Sequence, residues 1–314
     1  MKAALYDPDG GYYKRSDLPR WGREGDYRTS PERSELFAAT FARYFARLYD
    51  ELQRPSQWTI VEAGPGAGDF EAGVLRAFSD NHPRYVRVET SEELEKLPPI
   101  KAGIVFSNEV LDAFPVHRLI QTADGLAEFY VAIENESFVW TTGPLSTSRL
   151  LEFCREYSVE LEHGQIIEVN LEIDRWLETV AGKLEAGYLI TVDYGAESVD
   201  LYDVALRPHG TLRAFSRHEF VDDVLGQPGD HDVTSSINWS QVQAVGARFG
   251  FTTVAYAPQD RFLIDAGLLD EFQRALNRAT TDAGKLSLST GVREMILPGG
   301  MGSSFQVLVQ KKGT

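Results

Sequence analysis

The sequence predicts an α/β protein built on a mostly parallel sheet with an antiparallel edge, and three observations carry that expectation. A short apolar strand over residues 58–63 runs straight into a glycine-rich turn and then a helix through about Phe78. A strand at 85–88 completes a βαβ-like unit, and strand–helix alternation continues beyond it. Late in the chain, strands at 251–257 and 305–310 bracket a helical stretch around 268–279, which suits an antiparallel edge.

Each element follows from local pattern. Residues 1–30 are rich in Gly, Tyr, Asp and Arg and read as an ordered loop or cap. Ser30-Pro31-Glu32 then supplies a helix start: a hydroxyl cap, proline at the first helical position, and an acid against the positive end of the dipole. Leu36, Phe37, Phe41, Tyr44, Phe45, Leu48, Tyr49 and Leu52 recur at amphipathic helical spacing. Residues 1–55 are therefore expected to form a cap and first helix, and 56–314 the core, with insertions at about 116–165, 196–236 and 258–302. A strand at 104–107 ends at Asn108-Glu109. Between His117 and Thr142, short apolar runs are broken by Asp124-Gly125 and Glu134-Asn135, which predicts an inserted β-meander. Residues 170–184 make a helix closed by Gly187, and 188–192 a buried strand ending in Asp193-Tyr194-Gly195. About 40 residues without an evident element precede a helix at 239–249, and loops that long are usually functional.

Composition narrows the function. The 314 residues carry 31 Lys plus Arg against 47 Asp plus Glu, a net charge of −16. A surface this acidic repels phosphate backbones, and the basic residues are scattered, so a nucleic-acid partner is not expected. The same field suits a cationic substrate or serves solubility alone. No apolar stretch approaches the ~20 residues that span a bilayer. The first residues lack an apolar signal core or an Arg/Ser-rich transit pattern, so a cytoplasmic location without membrane insertion is expected. A single cysteine, Cys154, excludes a disulfide framework and a cysteine metal cage, and no His/Asp/Glu cluster has metal spacing.

The most informative segment is Val61-Glu62-Ala63-Gly64-Pro65-Gly66-Ala67-Gly68-Asp69-Phe70, placed where an α/β sheet binds nucleotides. It lacks the Gly-Lys-Ser/Thr of a phosphate loop, and Asp69 stands where a dinucleotide fingerprint needs its third glycine. What remains is an acid followed by glycines at alternate positions. This resembles motif I of class I S-adenosylmethionine methyltransferases. That cofactor has no pyrophosphate to cradle; it has a ribose, an amino-acid head and a sulfonium. Glycines permit close backbone approach to such a ligand, and Glu62 can accept hydrogen bonds from the head group. Glu89, at the end of the next strand, stands where an acid binds ribose hydroxyls.

Further strings point to a family. Tyr6-Asp7-Pro8, Gly11-Tyr12-Tyr13 and Gly25-Asp26-Tyr27-x-Thr29-Ser30-Pro31-Glu32 resemble the N-terminal signature of the MidA methyltransferases. Asn108-Glu109-Val110-Leu111-Asp112-Ala113-Phe114-Pro115-Val116-His117 is similar to the motif ending the family's fourth core strand. Asp193-Tyr194-Gly195, Gly210-Thr211-Leu212-Arg213, Pro228-Gly229-x-x-Asp232-Val233-Thr234 and Met301-Gly302 follow in the family's order, so the resemblance covers nearly the whole chain. It implies a Rossmann-like methyltransferase sheet with an N-terminal cap and inserted β-meander and helical elements, and S-adenosyl-L-methionine as cofactor. It further implies a protein acceptor, by analogy with a relative that methylates a protein arginine, with a respiratory-complex subunit as one possible partner. Carried over by position, Gly64, Gly66, Gly68, Glu89 and Asn108 line the cofactor, and Thr29-Ser30-Pro31 closes over it.

Two departures stand out. Only residues 90–103 separate Glu89 from the next strand, where the family has a further helix and strand; that region usually builds the adenine side of the pocket. Ala38 replaces a glycine that the family favours after Phe.

Among the site candidates, Glu109 is expected to orient a cationic acceptor at the C-terminal end of a strand, where open α/β sheets place ligands. Asp112 reads as its catalytic partner, a cofactor contact or a helix N-cap. Asp193 and Tyr194 read as substrate contacts or structural hydrogen-bonding groups, and His117 as a general base or a satisfied, half-buried histidine. A small-molecule methyltransferase and a non-catalytic assembly factor keeping the fold are the alternative functions; methyl-acceptor profiling and cofactor binding discriminate them.

Overall fold

Runs of β-branched and aliphatic residues bounded by turn residues settle the strands, and 3.6-residue apolar periodicity settles the helices. The computed structural model describes residues 1–15, 17–18, 35–76, 78, 82–216, 219–221, 223–297 and 304–313. In chain order the first elements are α1 (Lys2–Tyr6), α2 (Glu35–Glu51), β1 (Thr59–Ala63), α3 (Asp69–Leu75), β2 (Arg84–Val88), α4 (Ser91–Lys96) and β3 (Gly103–Asn108). There follow β4 (His117–Thr122), β5 (Gly125–Glu134), β6 (Ser137–Gly143), α5 (Arg149–Glu156), β7 (Ile166–Val169), α6 (Glu172–Lys183) and β8 (Gly187–Ala196). The last third holds α7 (Ser198–Leu201), β9 (Arg213–Ser216), β10 (Glu219–Val221), β11 (Asp232–Thr234), β12 (Ile237–Asn238) and α8 (Trp239–Arg248). It closes with β13 (Phe251–Pro258), α9 (Gln259–Ala266), α10 (Leu268–Arg278), α11 (Asp282–Ile296) and β14 (Phe305–Lys312). Two compact units share these elements: Arg28–Val110, Trp176–Tyr194 and Val245–Thr314 form one, and Met1–Tyr27, Leu111–Arg175 and Gly195–Ala244 the other.

The first of these, the sheet unit, has strand order β13-β14-β8-β3-β1-β2. β2, β1, β3 and β8 run parallel, and β14 is reversed between β8 and β13. This is the expected mostly parallel sheet with an antiparallel edge. Its inner strands read Ile60-Val61, Ile104-Val105-Phe106 and Leu189-Ile190, all buried because helices cover both faces. Helix α2 presents Phe37, Phe41 and Phe45 to this core, and the Phe70 and Phe106 rings stack at 4.3 Å. Gly73 faces Ala38: a Cβ at Gly73 would lie 2.3 Å from the Ala38 Cβ, so one of the two positions must lack a side chain. The alanine that departs from the family is thus accommodated from the opposite helix.

The shortened stretch after β2 holds α4 but no strand, so β2 is the sheet's edge among the described residues. Pro98-Pro99 is the physical reason, since neither residue has an N–H to give a ladder. The helical stretch expected around 268–279 is α10, and two helices that the sequence reading did not show flank it, α9, parted from α10 at Gly267, and α11. The start expected at Ser30-Pro31 lies outside the described residues.

In the second unit, the meander is present with a fourth strand that sequence pattern did not show, giving the antiparallel order β6-β5-β4-β7. Leu119, Ile167 and Val169 of that sheet pack with Leu150 and Phe153 of α5, also unforeseen. The 40-residue stretch expected to be a loop is structured: it carries α7 and the small sheet β10-β9-β11. That sheet meets α1 through Leu5, Tyr12, Ala214 and Val233. Strands of three or four residues are too short to leave a readable alternation.

Candidate functional site

The parallel register fixes where chemistry can occur in the sheet unit. Ala63 of β1 pairs with Val88 of β2 on one side and Ser107 of β3 on the other, and Asn108 pairs with Val192 of β8. The glycine turn, Glu89 and Asn108 therefore stand at the carboxyl edge of the sheet, with Asp193 of β8 next along from Val192 and paired with Gln306 of β14, and β1 lies where the chain direction switches from β2 to β3. Gly64, Gly66 and Gly68 have φ values of +62°, +52° and +86°, a left-handed run that side chains resist. The Gly64 N–H is held by the Val88 carbonyl at 2.9 Å. A Cβ on Gly64 would also strike the Val110 side chain at 2.7 Å. At the edge of β3, Ser107 Oγ and Asn108 Oδ1 are buried with no hydrogen-bond partner among the described residues. Polar atoms buried without partners are costly, and a ligand rich in hydroxyls and amines fits that surplus.

Glu62 is buried on β1 and accepts a 2.8 Å hydrogen bond from the Tyr85 hydroxyl. Burial pushes its carboxyl up to about 7, with the Tyr85 bond pulling the other way. Sequence reading missed Tyr85; its only signal is the strand pairing that puts β2 beside β1. Glu89 is exposed just past β2, where its backbone N–H donates to Glu93 and Thr90 caps α4. Thr29, Ser30 and Pro31 lie outside the described residues.

Glu109 is half-buried and has φ of +55°, a left-handed conformation that costs a non-glycine residue of order 1 kcal/mol. The strain is held in place: its N–H donates to the Val192 carbonyl at 3.0 Å, and the Asn108 amide donates to its carboxylate at 2.9 Å. Residues kept in such conformations concentrate at functional sites. Asp193 is fully buried and accepts from the Tyr194 N–H at 2.8 Å; the Tyr194 ring packs edge-on to Phe305 at 5.3 Å.

Asp112 belongs to the second unit, where it is buried and its carbonyl accepts from the Ser235 N–H. No helix follows it, so the N-cap alternative is not realised. Around it stands a cluster that sequence strings touched but did not assemble. Tyr6 donates to the Ala113 carbonyl at 3.0 Å and stacks on Tyr13 at 5.5 Å, while Tyr13 donates to Asp232 at 2.8 Å. Burial raises the Tyr6 phenol well above its ordinary value, and the Asp112 and Asp232 charges add to the shift. In the same unit His117 Nδ1 sits 2.6 Å from Glu128, so that ring nitrogen has its partner. Among the described residues no group of three His, Cys, Asp or Glu could hold a metal, and no helix is long and apolar enough to cross a membrane.

A switch-point glycine turn on a sheet with one reversed strand is the arrangement expected of a class I S-adenosylmethionine-dependent methyltransferase. Comparison with solved structures agrees. A Burkholderia thailandensis protein crystallised with S-adenosyl-homocysteine superposes with a TM-score of 0.87, at 28% identity over 99% of this chain and 86% of that one. The family model of S-adenosyl-L-methionine-dependent methyltransferases, methyltransferase family 28, matches residues 40–99 and 92–257, and the chain belongs to that family. Curated relatives include the mitochondrial protein arginine methyltransferase NDUFAF7 of Rattus norvegicus, 24% identical over 97% of this chain and 78% of the relative. The human protein of the same name is 24% identical over 97% of this chain and 77% of the relative.

Proposed function

We propose that this methyltransferase transfers the methyl group to an arginine side chain of a protein. The observation that carries the reading is Glu109, a carboxylate held in a strained left-handed conformation by Asn108 and Val192 at the carboxyl edge of the sheet. A guanidinium needs a carboxylate that fixes its plane and charge, and the likeness to proteins named arginine methyltransferases supports the same acceptor. In this reading Gly64, Gly66 and Gly68 let the backbone approach the cofactor. Glu62 and Asn108 accept from its polar groups, and Glu89 takes the ribose hydroxyls. S-adenosyl-L-methionine supplies an electrophilic methyl on sulfur: the new N–C bond forms as the S–C pair stays on sulfur, and the acceptor nitrogen gives up a proton. The chain's own contribution is orientation and charge, the terms that dominate an in-line displacement. Glu109 is the substrate-orienting carboxylate, and Asp193 and Tyr194 shape the acceptor side.

The test is methyl transfer from radiolabelled cofactor into a protein extract, followed by acid hydrolysis and chromatography of the amino acids. Label recovered as methylarginine is the expected result. Label confined to small molecules, or to base-labile esters, would overturn the arginine reading. Identification of the labelled protein then decides whether it is a respiratory-complex subunit.

A further inference from the structure

The antiparallel sheet of the second unit ends at β6 among the described residues. Ser137–Gly143 contains no charge and no proline, the devices that usually keep an edge strand from pairing. Register across the β5–β6 hairpin sets Val131 opposite Trp140 and Ile133 opposite Phe138. With Phe129 these side chains share one face. Much of that face is uncovered: Ile133 is 72% exposed, Val131 48% and Phe138 46%. Phe129, Val131, Phe138 and Trp140 line a cavity of about 490 Å³, shared with Leu212 and Val224 of the same unit. Arg118 also lines the cavity: its guanidinium lies 5.2 Å from the Phe129 ring and 5.0 Å from Trp140 while it pairs with buried Glu168 at 3.3 Å.

Charge selects the occupant. From His117 to Gly143 the exposed acids Asp124, Glu134 and Glu136 stand against Arg118 alone, buried Glu128 being held by His117 and Ser146, and the chain carries −16 overall. A second copy would bring the same excess of negative charge to the edge. We propose that β6 is a docking edge for an extended basic segment of a partner polypeptide. Such a segment adds as a fifth strand through main-chain hydrogen bonds, places alternate apolar side chains in the cavity, and sets its lysines or arginines against the hairpin carboxylates. The proposal rests on a protein acceptor, but its test does not use methyl transfer, so the two readings fail separately.

The probe is a fluorescein-labelled peptide of nine residues alternating valine with lysine or arginine, with a valine–glutamate peptide as control. Saturable binding of the basic peptide, together with slowed amide hydrogen exchange confined to β6 and the adjoining cavity wall, is the expected result. Phe138→Lys with Trp140→Lys should weaken binding at least 10-fold, with folding checked by the thermal shift that S-adenosyl-homocysteine produces. Equal binding of the acidic peptide, protection outside the second unit, or absence of exchange protection in the unaltered protein would overturn the proposal. Concentration-dependent protection of β6 without peptide, matched by dimer in sedimentation, would overturn it in favour of self-association.

Discussion

Glu62 shows how one buried atom pair sets a measurable property. Its carboxyl is raised to about 7 against an ordinary value near 4.5. Below pH 4.5 both folded and unfolded states hold the proton. Between 4.5 and 7 the unfolded chain loses it first, so the folded state binds more protons and stability falls as pH rises through this window. Glu62→Gln keeps an acceptor for Tyr85 and removes the charge. It is expected to stabilise the protein at pH 8 by on the order of 3 kcal/mol at most, from a shift of roughly 2.5 pKa units, and to leave stability at pH 4.5 unchanged. Chemical denaturation at the two pH values decides it; equal effects at both would place Glu62 in a solvated setting. The glycine turn is tested by Gly66→Val. A β-branched residue resists φ of +52° and fills space that a ligand needs. The thermal shift given by S-adenosyl-homocysteine should disappear, and a folded variant with a normal shift would remove the turn from the cofactor site. At Glu109, replacement by glutamine keeps the shape and removes the charge. Cofactor affinity should hold while transfer to the acceptor falls by about 10²-fold, the scale of losing one preorganised electrostatic contact. Equal loss of both would move Glu109 to the cofactor. Unchanged transfer would end its substrate role.

At the scale of elements, the packing of α2 on α3 turns on the Ala38–Gly73 contact. Gly73→Ala gains helix propensity of about 1 kcal/mol. It also introduces a methyl 2.3 Å from the Ala38 Cβ, and overpacking of this kind costs 1–3 kcal/mol. Net destabilisation is expected in urea titration, and Ala38→Gly in the same chain should restore part of it; a stabilised single variant would show that the helices part freely. The same helices show what the sequence made legible. Phe37, Phe41 and Phe45 announce α2 through their spacing, and β1, β3 and β8 announce themselves through continuous apolar runs, because burial on both faces leaves no ambiguity. The alternating glycines were legible for a different reason: backbone at positive φ favours glycine, so the residue type itself marks the turn. What pattern could not give was pairing between short, distant strands. β7, β9 and β11 have three or four residues each, and nothing local to 166–169 says that it lies beside β4, 50 residues away. The Tyr6, Tyr13, Asp112 and Asp232 cluster was hidden for the same reason: its members are brought together by tertiary pairing across more than 200 residues.

The whole molecule carries its charge unevenly in one sense only: an excess of 47 acids over 31 bases. That excess reads either as solubility or as a field that draws a cationic acceptor toward the enzyme, and salt separates the two. Steering acts through the long-range potential, which reaches about 30 Å at 0.01 M salt and only about 8 Å at 0.15 M. Electrostatic attraction raises association rates by 10-fold to 10³-fold in favourable cases, and the gain vanishes as the potential is screened. S-adenosyl-homocysteine carries almost no net charge near neutral pH, so its affinity gives an internal control. Raising sodium chloride from 10 to 150 mM is therefore expected to cut kcat/KM for a basic peptide acceptor by about 10-fold while kcat and the affinity for S-adenosyl-homocysteine stay level. An acceptor peptide with its flanking lysines replaced by serine should lose most of that salt dependence, because the flanking charges and not the methylated residue carry the long-range attraction. A salt effect equal for both peptides would locate the interaction at the reacting guanidinium itself. A flat profile for the basic peptide would assign the acidic surface to solubility and leave recognition to short-range contacts.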